Sequence, residues 1–367
     1  MRRISSLLLA TALALCTCLP ARAEEPTPPA HSRAELEQIW RTRIQSFLDR
    51  GVIPLVDMES SLPNRYADGD LTETLATMDR EGVAFMVCDG YQAEKTADSA
   101  PGYRWGYAVH RAANRHPDHI VLSTNGGTNP NWTKGRGGSP ADFIDQTEVQ
   151  ARSGDYPIMG EFEFRHYMSS EQCRKGKSER DVDQPLDGEN GRRLFALSQE
   201  TGLPFLIHME PEDVPLAGLE KMLAAYPKAR VIACHFGQVR FPARETKFKP
   251  ALVRRLLSTY PNLYYDLSVG EPGRHYACND NVLDTVIWND LMGRQTDALK
   301  PEYAAILTEF STRFVAGFDY GGEDKPLPQF IPERVANMRR ILAGLPEAAQ
   351  RDIAYRNAWR LLTGKDW

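Results

Sequence analysis

Short apolar segments alternate with amphipathic ones along this chain, and the alternation yields eight extended segments. These cover residues 52–56, 84–88, 120–123, 158–164, 205–208, 231–235, 263–267 and 314–319. Helical segments follow the first six, at 71–80, 103–115, 140–152, 191–200, 216–226 and 250–260. A helix between two strands brings the chain back to the end it left, so the strands must run parallel. Eight such strands predict an α/β fold of the TIM-like type, a (β/α)8 barrel, in preference to an open doubly wound sheet. No Gly-x-Gly-x-x-Gly follows the first strand, so there is no dinucleotide fingerprint to argue otherwise.

The ends of the chain read differently. Met1-Arg2-Arg3, an apolar stretch over 4–19 and Ala21-Arg22-Ala23 have the layout of a secretory signal peptide covering residues 1–23. The stretch is short for a membrane span, and Leu15 before Cys16 is larger than a lipoprotein signal prefers. The expected location is therefore periplasmic or secreted, with no stable membrane insertion after cleavage. Residues 24–50 form a Pro- and Glu-rich tail followed by an N-terminal helix that Ser32 caps and that runs to Leu48. Leu36, Ile39, Trp40, Ile44 and Phe47 supply its apolar side, which is expected to cover the N-terminal face of the barrel domain at 51–367. The formal net charge of -5, with no basic stripe, removes the electrostatic basis for nucleic-acid binding and leaves a small-molecule substrate as the expected partner. Nothing in the sequence fixes the oligomeric state.

Four long βα loops, at 89–102, 125–139, 169–189 and 268–301, follow strand ends and would crowd the catalytic mouth, the last with short helices of its own. Around that mouth three strands close on metal-competent side chains: His208, His235 and Asp319. One histidine at a strand end is more often a satisfied structural residue, and Asp319 alone could be a helix N-cap in its Asp-Tyr-Gly-Gly turn. Three at the same end point to a site. Glu59 on the first strand and Glu163 on the fourth are further oxygen donors, and Glu161 alternates with them inward of Phe162 and Phe164. A mixed nitrogen and oxygen set suits one divalent metal ion, Zn, Mn or Fe, or a pair of them. Arg165 and His166 beyond the fourth strand, and Arg240 with Arg244 beyond the sixth, offer anion-binding groups, although solvated loop residues look the same in sequence. Cys88 and Cys234 read as buried strand residues, whereas Cys173 and Cys278 fall in polar loops and form a pair that an oxidising compartment could join.

Five segments in order carry a resemblance to a known family: Gly202-Leu203-Pro204-Phe205-Leu206-Ile207-His208, Ala233-Cys234-His235-Phe236-Gly237, Asn262-Leu263-Tyr264-Tyr265-Asp266-Leu267-Ser268, Ala316-Gly317-Phe318-Asp319-Tyr320, and Tyr355-Arg356-Asn357-Ala358-Trp359-Arg360-Leu361-Leu362. The chain resembles the amidohydrolase superfamily, in its amidohydrolase-related branch. The resemblance implies a metal-dependent TIM-barrel hydrolase in which His208 is a metal ligand. It makes His235 a ligand or a polariser of the substrate carbonyl, and Asp319 a ligand and proton acceptor. It also implies a metal-bridging carboxylate on the fourth strand in some members, here Glu163. The first strand departs from the family's His-x-His, with Glu59 and Ser61 in those positions. Members with a glutamate there are similar to decarboxylases of hydroxylated aromatic acids. Three readings follow: hydrolysis of an amide, ester or lactone, non-oxidative decarboxylation, and a metal-free binding barrel.

Overall fold

The computed structural model describes residues 30–90, 93–95, 103–105, 107–126, 140–178, 180–279, 282–321 and 325–367. The expected signal peptide and most of the loops at 89–102 and 125–139 lie outside the described residues.

The fold is α/β. Eight parallel strands form its centre: β1 Leu55–Ser61, β2 Val83–Gly90, β3 Ile120–Asn125, β4 Met159–His166, β5 Pro204–Met209, β6 Arg230–Ala233, β7 Leu263–Asp266 and β8 Phe314–Val315. One ladder runs β1-β2-β3 and the other β8-β7-β6-β5-β4. Hydrogen bonds cross the gap at both ends of these ladders. Between β3 and β4, Thr124 N donates to Ile158 O at 3.3 Å and Ser123 Oγ to Gly160 O at 2.8 Å. Between β8 and β1, Met58 N donates to Ala316 O at 2.9 Å. β1 to β5 are buried along their whole length, as parallel strands covered on both faces must be, which explains why β2, β3 and β5 open as apolar runs with little alternation.

The N-terminal helix α1, Arg33–Asp49, begins with a capping box between Ser32 and Glu35. Its buried residues are Trp40, Ile44 and Phe47, each contributing roughly 2 kcal/mol by leaving water. The Trp40 ring lies 5.8 Å from Phe85, near the start of β2, and its indole N–H donates to Pro117 O at 2.9 Å, which packs α1 against the N-terminal side of β2 and β3. The helices that return the chain between successive strands are α2 Thr72–Glu81, α3 Tyr107–Arg115, α4 Pro140–Ser153, α5 Glu189–Thr201, α6 Asp213–Ala225, α7 Pro250–Thr259 and α8 Pro301–Glu309. α9 Leu327–Ala343 follows β8. The final helical run contains a π turn over Asp352–Arg356. There Ile353 O accepts from Ala316 N at 3.2 Å, and Asn357 Nδ2 donates to Ser311 O at 2.7 Å and Phe314 O at 2.8 Å. Ile353 and the Asn357 side chain thus supply partners for backbone groups in and around a last strand only two residues long.

Three expectations need correction. β1 starts later than residue 52 and continues through Ser61, which places Glu59 within the strand. Tyr103–Trp105 is extended and pairs antiparallel with Ala93–Lys95, so that helix begins only at Tyr107. The 268–301 stretch carries two hairpins in place of short helices: His275–Tyr276 with Val282–Leu283, and Trp288–Leu291 with Arg294–Leu299. The second turns through Met292 and Gly293, both at positive φ (55° and 80°), the backbone a two-residue hairpin needs. Among the described residues no helix is long and apolar enough to cross a membrane.

Candidate active site

Two residues at the mouth have left-handed backbones that non-glycine side chains avoid: His235 at φ 59° and Asp319 at φ 56°. Such conformations cost of order 1–3 kcal/mol each and persist only where the surroundings hold them. Two buried aspartates do the holding. Asp266 Oδ1 accepts from His235 N at 2.8 Å, Ser268 N at 3.1 Å and Ser268 Oγ at 2.6 Å. Asp57 Oδ1 accepts from Glu59 N at 3.1 Å and Phe318 N at 2.8 Å, while its other oxygen accepts from Ser60 Oγ at 2.6 Å. Asp319 N itself donates to Glu59 O at 2.8 Å, locking the end of β8 to β1.

The side chains so aimed converge. His208 Nδ1 lies 3.0 Å from Glu161 Oε1 and 2.9 Å from His235 Nε2. His235 Nε2 is 3.4 Å from Glu161 Oε1 and 3.5 Å from Glu59 Oε1. On its far side His235 Nδ1 stands 3.0 Å from Ser268 O and 2.9 Å from Ser268 Oγ, which fixes the ring. Glu161, His208 and His235 can bring one donor atom each within 4.8 Å of one another, and so can Glu59, His235 and Asp319. A cavity of about 10 Å³, room for one water-sized occupant, opens beside Glu59, Asp89, Glu161 and Asp319.

Proton affinities here are strongly displaced. Burial, then the charges of Asp266, Glu161 and Asp319, push Glu59 well above the usual carboxylate range. Burial alone would raise Glu161, but hydrogen bonds to His208 and His235 hold it well below that range. Burial would lower His235, yet Asp319 and Glu161 raise it to about 10. Burial pushes Asp89 up to about 8. His208 Nε2 and both carboxylate oxygens of Glu59 are buried without a hydrogen-bond partner among the described residues. Orphaned buried acceptors are costly unless something satisfies them. Imidazole nitrogens and carboxylate oxygens within one ion's reach are a donor set that a divalent Zn, Mn or Fe ion fits.

The other expected site residues are placed elsewhere. Glu163 belongs to neither donor group. It is ion-paired with Arg180, from the loop after β4, and its Oε1 is 3.9 Å from His166 Nε2. His166 packs edge-on against His208, ring centres 4.4 Å apart, and its Nδ1 is 2.6 Å from Arg180 O. Arg165 pairs with Asp181 and Glu212 at 2.8 Å each and stacks over Tyr167. Arg240 bridges Glu210 at 3.0 Å and Asp284 at 3.1 Å. Neither arginine is left open for an anion. Ser61 donates its backbone N–H to Tyr320 O and stands in neither histidine-containing donor group.

A family model described as Amidohydrolase matches residues 173–363, just over half of the chain. The chain belongs to the amidohydrolase family. Among solved structures it is similar to 5-carboxyvanillate decarboxylase from Sphingomonas paucimobilis, at 13% identity over 84% of this chain and 99% of that one, TM-score 0.46. It is also similar to 4-oxalomesaconate hydratase from Rhodopseudomonas palustris, at 13% identity over 89% and 92%, TM-score 0.48. A dihydroxybenzoic acid decarboxylase from Polaromonas sp., solved with manganese and 2-nitroresorcinol, matches at 12% identity over 84% and 96%, TM-score 0.47. No curated protein matches the chain.

Two residues of this amidohydrolase stand at the mouth without having been singled out by sequence. Glu161, not Glu163, meets the imidazoles. The signal that could have separated them is Gly160, whose φ of 68° marks a break in the β4 ladder just before Glu161. Arg180 lies in a polar loop with no motif, and only its place in the fold brings it near Asp319 and Glu161, whose charges it feels.

Proposed function

We propose that this amidohydrolase is an exported, metal-dependent hydrolase that cleaves an amide, ester or lactone of a small molecule at the mouth of a closed (β/α)8 barrel. The hydrogen bonds joining the two ladders at both gaps support closure, and the signal-like residues 1–23 support export. The observation that carries the catalytic reading is the convergence of Glu161, His208 and His235 with Glu59 and Asp319 against them, including buried donor atoms with no hydrogen-bond partner among the described residues. Glu161 and His208 would hold a Zn, Mn or Fe ion, with Glu59, Asp319 and His235 completing the set for one ion or two. When bound, the ion supplies a Lewis acid that brings water towards a neutral pKa and polarises a carbonyl.

The protein's own groups do the rest. Asp319, fixed by its bond to Glu59 O, takes the proton of the attacking water and delivers it to the leaving group. His235, its ring fixed by Ser268, completes the donor set or donates a hydrogen bond to the substrate carbonyl. Arg180 takes the anion-binding role expected of Arg165, His166 and Arg240, because its buried Nε has no hydrogen-bond partner among the described residues. Glu163 keeps that cation in place.

Glu59 on the first strand, with the Arg180 cation nearby, favours one other reading: decarboxylation of an aromatic acid. A panel of esters, lactones, amides and hydroxylated aromatic acids, offered to protein loaded with Zn, Mn or Fe, separates the two. Hydrolysis that drops roughly 10²–10⁴-fold in Asp319→Asn is the expected result. Release of CO₂ without any hydrolysis would replace this reading with the second. Absence of turnover with every metal would leave a binding barrel.

A further inference from the structure

The loop after β4 and the loop after β7 meet, and each brings a cysteine to the meeting point. Cys173 lies in the helical turn Ser170–Arg174, and Cys278 follows the short strand His275–Tyr276. Contacts between the two loops are numerous: Tyr276 Oη donates to Met168 O at 2.8 Å, and Ala277 N donates to Ser170 Oγ at 3.2 Å. Cys278 Sγ lies 3.7 Å from Ser169 O and 3.9 Å from Met168 O. The same Ser169 oxygen accepts from Cys173 N at 3.0 Å. One carbonyl is therefore shared by the backbone of one cysteine and the thiol of the other.

We propose that Cys173 and Cys278 are a redox pair whose oxidation to a disulfide ties the loop that carries Arg180 to the first hairpin after β7. Both cysteines are free and partly exposed, within reach of an oxidant. Cys88 and Cys234, by contrast, are buried in or beside strands, and burial pushes their thiols well above the usual range, which makes them inert. The shared Ser169 carbonyl, 3.7 Å from Cys278 Sγ and 3.0 Å from Cys173 N, holds the two cysteines next to one another. In the reaction a thiolate of the pair attacks an external disulfide, small or protein-borne, and forms a mixed disulfide while releasing one thiol. The second cysteine then displaces the other sulfur. Two protons and two electrons leave the pair, one S–S bond forms, and the oxidant is reduced to two thiols. Arg180 stands a few residues beyond Cys173, so the bond would restrain the position of its guanidinium over the mouth. The inference does not depend on the reaction catalysed.

The test uses the whole protein, reduced, then equilibrated in glutathione buffers from reducing to oxidising, with free thiols alkylated and peptides mapped by mass spectrometry. The expected product is a monomer two hydrogens lighter, with a Cys173–Cys278 cross-linked peptide and with Cys88 and Cys234 alkylated only after unfolding. Its Tm should exceed that of the reduced form by a few degrees, since the bond closes a long loop. In Cys173→Ser and in Cys278→Ser that Tm difference should vanish and the remaining cysteine should alkylate. Glutathione adducts on both cysteines, alkylation of both under oxidising conditions, or a disulfide-linked dimer would each overturn the proposal.

Discussion

Glu161 and Glu163 stand two positions apart on β4 and point to the same side, yet one faces the imidazoles of His208 and His235 and the other faces the guanidinium of Arg180. Their substitution should therefore separate two functions. Glu161→Gln is expected to lower kcat/KM by more than about 100-fold through loss of metal, a larger effect than removing a supporting group outside the ligand set. Glu163→Gln should leave the metal content near that of the parent. Arg180→Met should raise KM roughly 10- to 100-fold for an anionic substrate and leave neutral substrates unaffected, the scale of one charge-assisted hydrogen bond. Steady-state kinetics with matched anionic and neutral esters measures this, and equal losses on both would refute a role in recognition. Much of this site could be read from residue order. His208, His235 and Asp319 each close an apolar run, and a strand's end is a position that sequence marks well. Alternation alone does not distinguish Glu161 from Glu163, because it puts both inward, and the break of β4 at Gly160 decides which one reaches the imidazoles. Arg165 and Arg240 looked available for an anion because their partners Asp181, Glu212, Glu210 and Asp284 lie far away in sequence or in unpatterned loops.

β4 shows how an element aims a side chain. Gly160 takes φ 68°, and a Cβ placed there would lie 2.5 Å from the Phe162 ring. The irregular pairing between Met159 and Phe162 is the local bend that re-aims residues beside functional sites. Gly160→Ala should thus cost about 2 kcal/mol or more and lower metal affinity with it. Gly154→Ala makes the control: its φ is 86°, but nothing lies within 4 Å of the added methyl, so about 1 kcal/mol is expected. Urea unfolding of both variants provides the comparison, and equal costs would show that Gly160 does not shape β4. Strands and return helices were legible because burial imposes a period on the sequence. The hairpins in 268–301 were not, since two- to six-residue strands with exposed faces leave too short a pattern. Nor was the π turn at Asp352–Arg356, within which Ile353 O accepts from Ala316 N.

Across the whole molecule the dominant electrostatic feature is a set of buried acids and imidazoles around one small space. In the metal-free protein Glu161 is held below its ordinary range by His208 and His235, but three other groups bind protons more tightly than they would unfolded: His235 is raised to about 10 from an ordinary 6.5, and Asp57 and Asp89 to about 8 from 3.8. A group whose folded pKa is raised stabilises the fold fully below its unfolded pKa and loses that stabilisation as pH rises through the folded value. For His235 the loss falls between about pH 6.5 and 10, and the two aspartates add to it up to about 8. A metal ion takes the place of the protons on its ligands, so the loaded protein escapes much of this loss. The Tm difference between metal-loaded and chelated protein should consequently widen from pH 6.5 to pH 9, and a constant or narrowing difference would contradict the proton assignments. The central claim is that Glu161 and His208 hold a divalent ion. Elemental analysis of protein purified without chelator, beside Glu161→Gln and His208→Ala variants shown to be folded, tests it most directly. The account predicts near-stoichiometric Zn, Mn or Fe in the parent and a large loss in both variants. A parent that carries no metal and takes up none when offered it, or variants that retain the full complement, would contradict the claim.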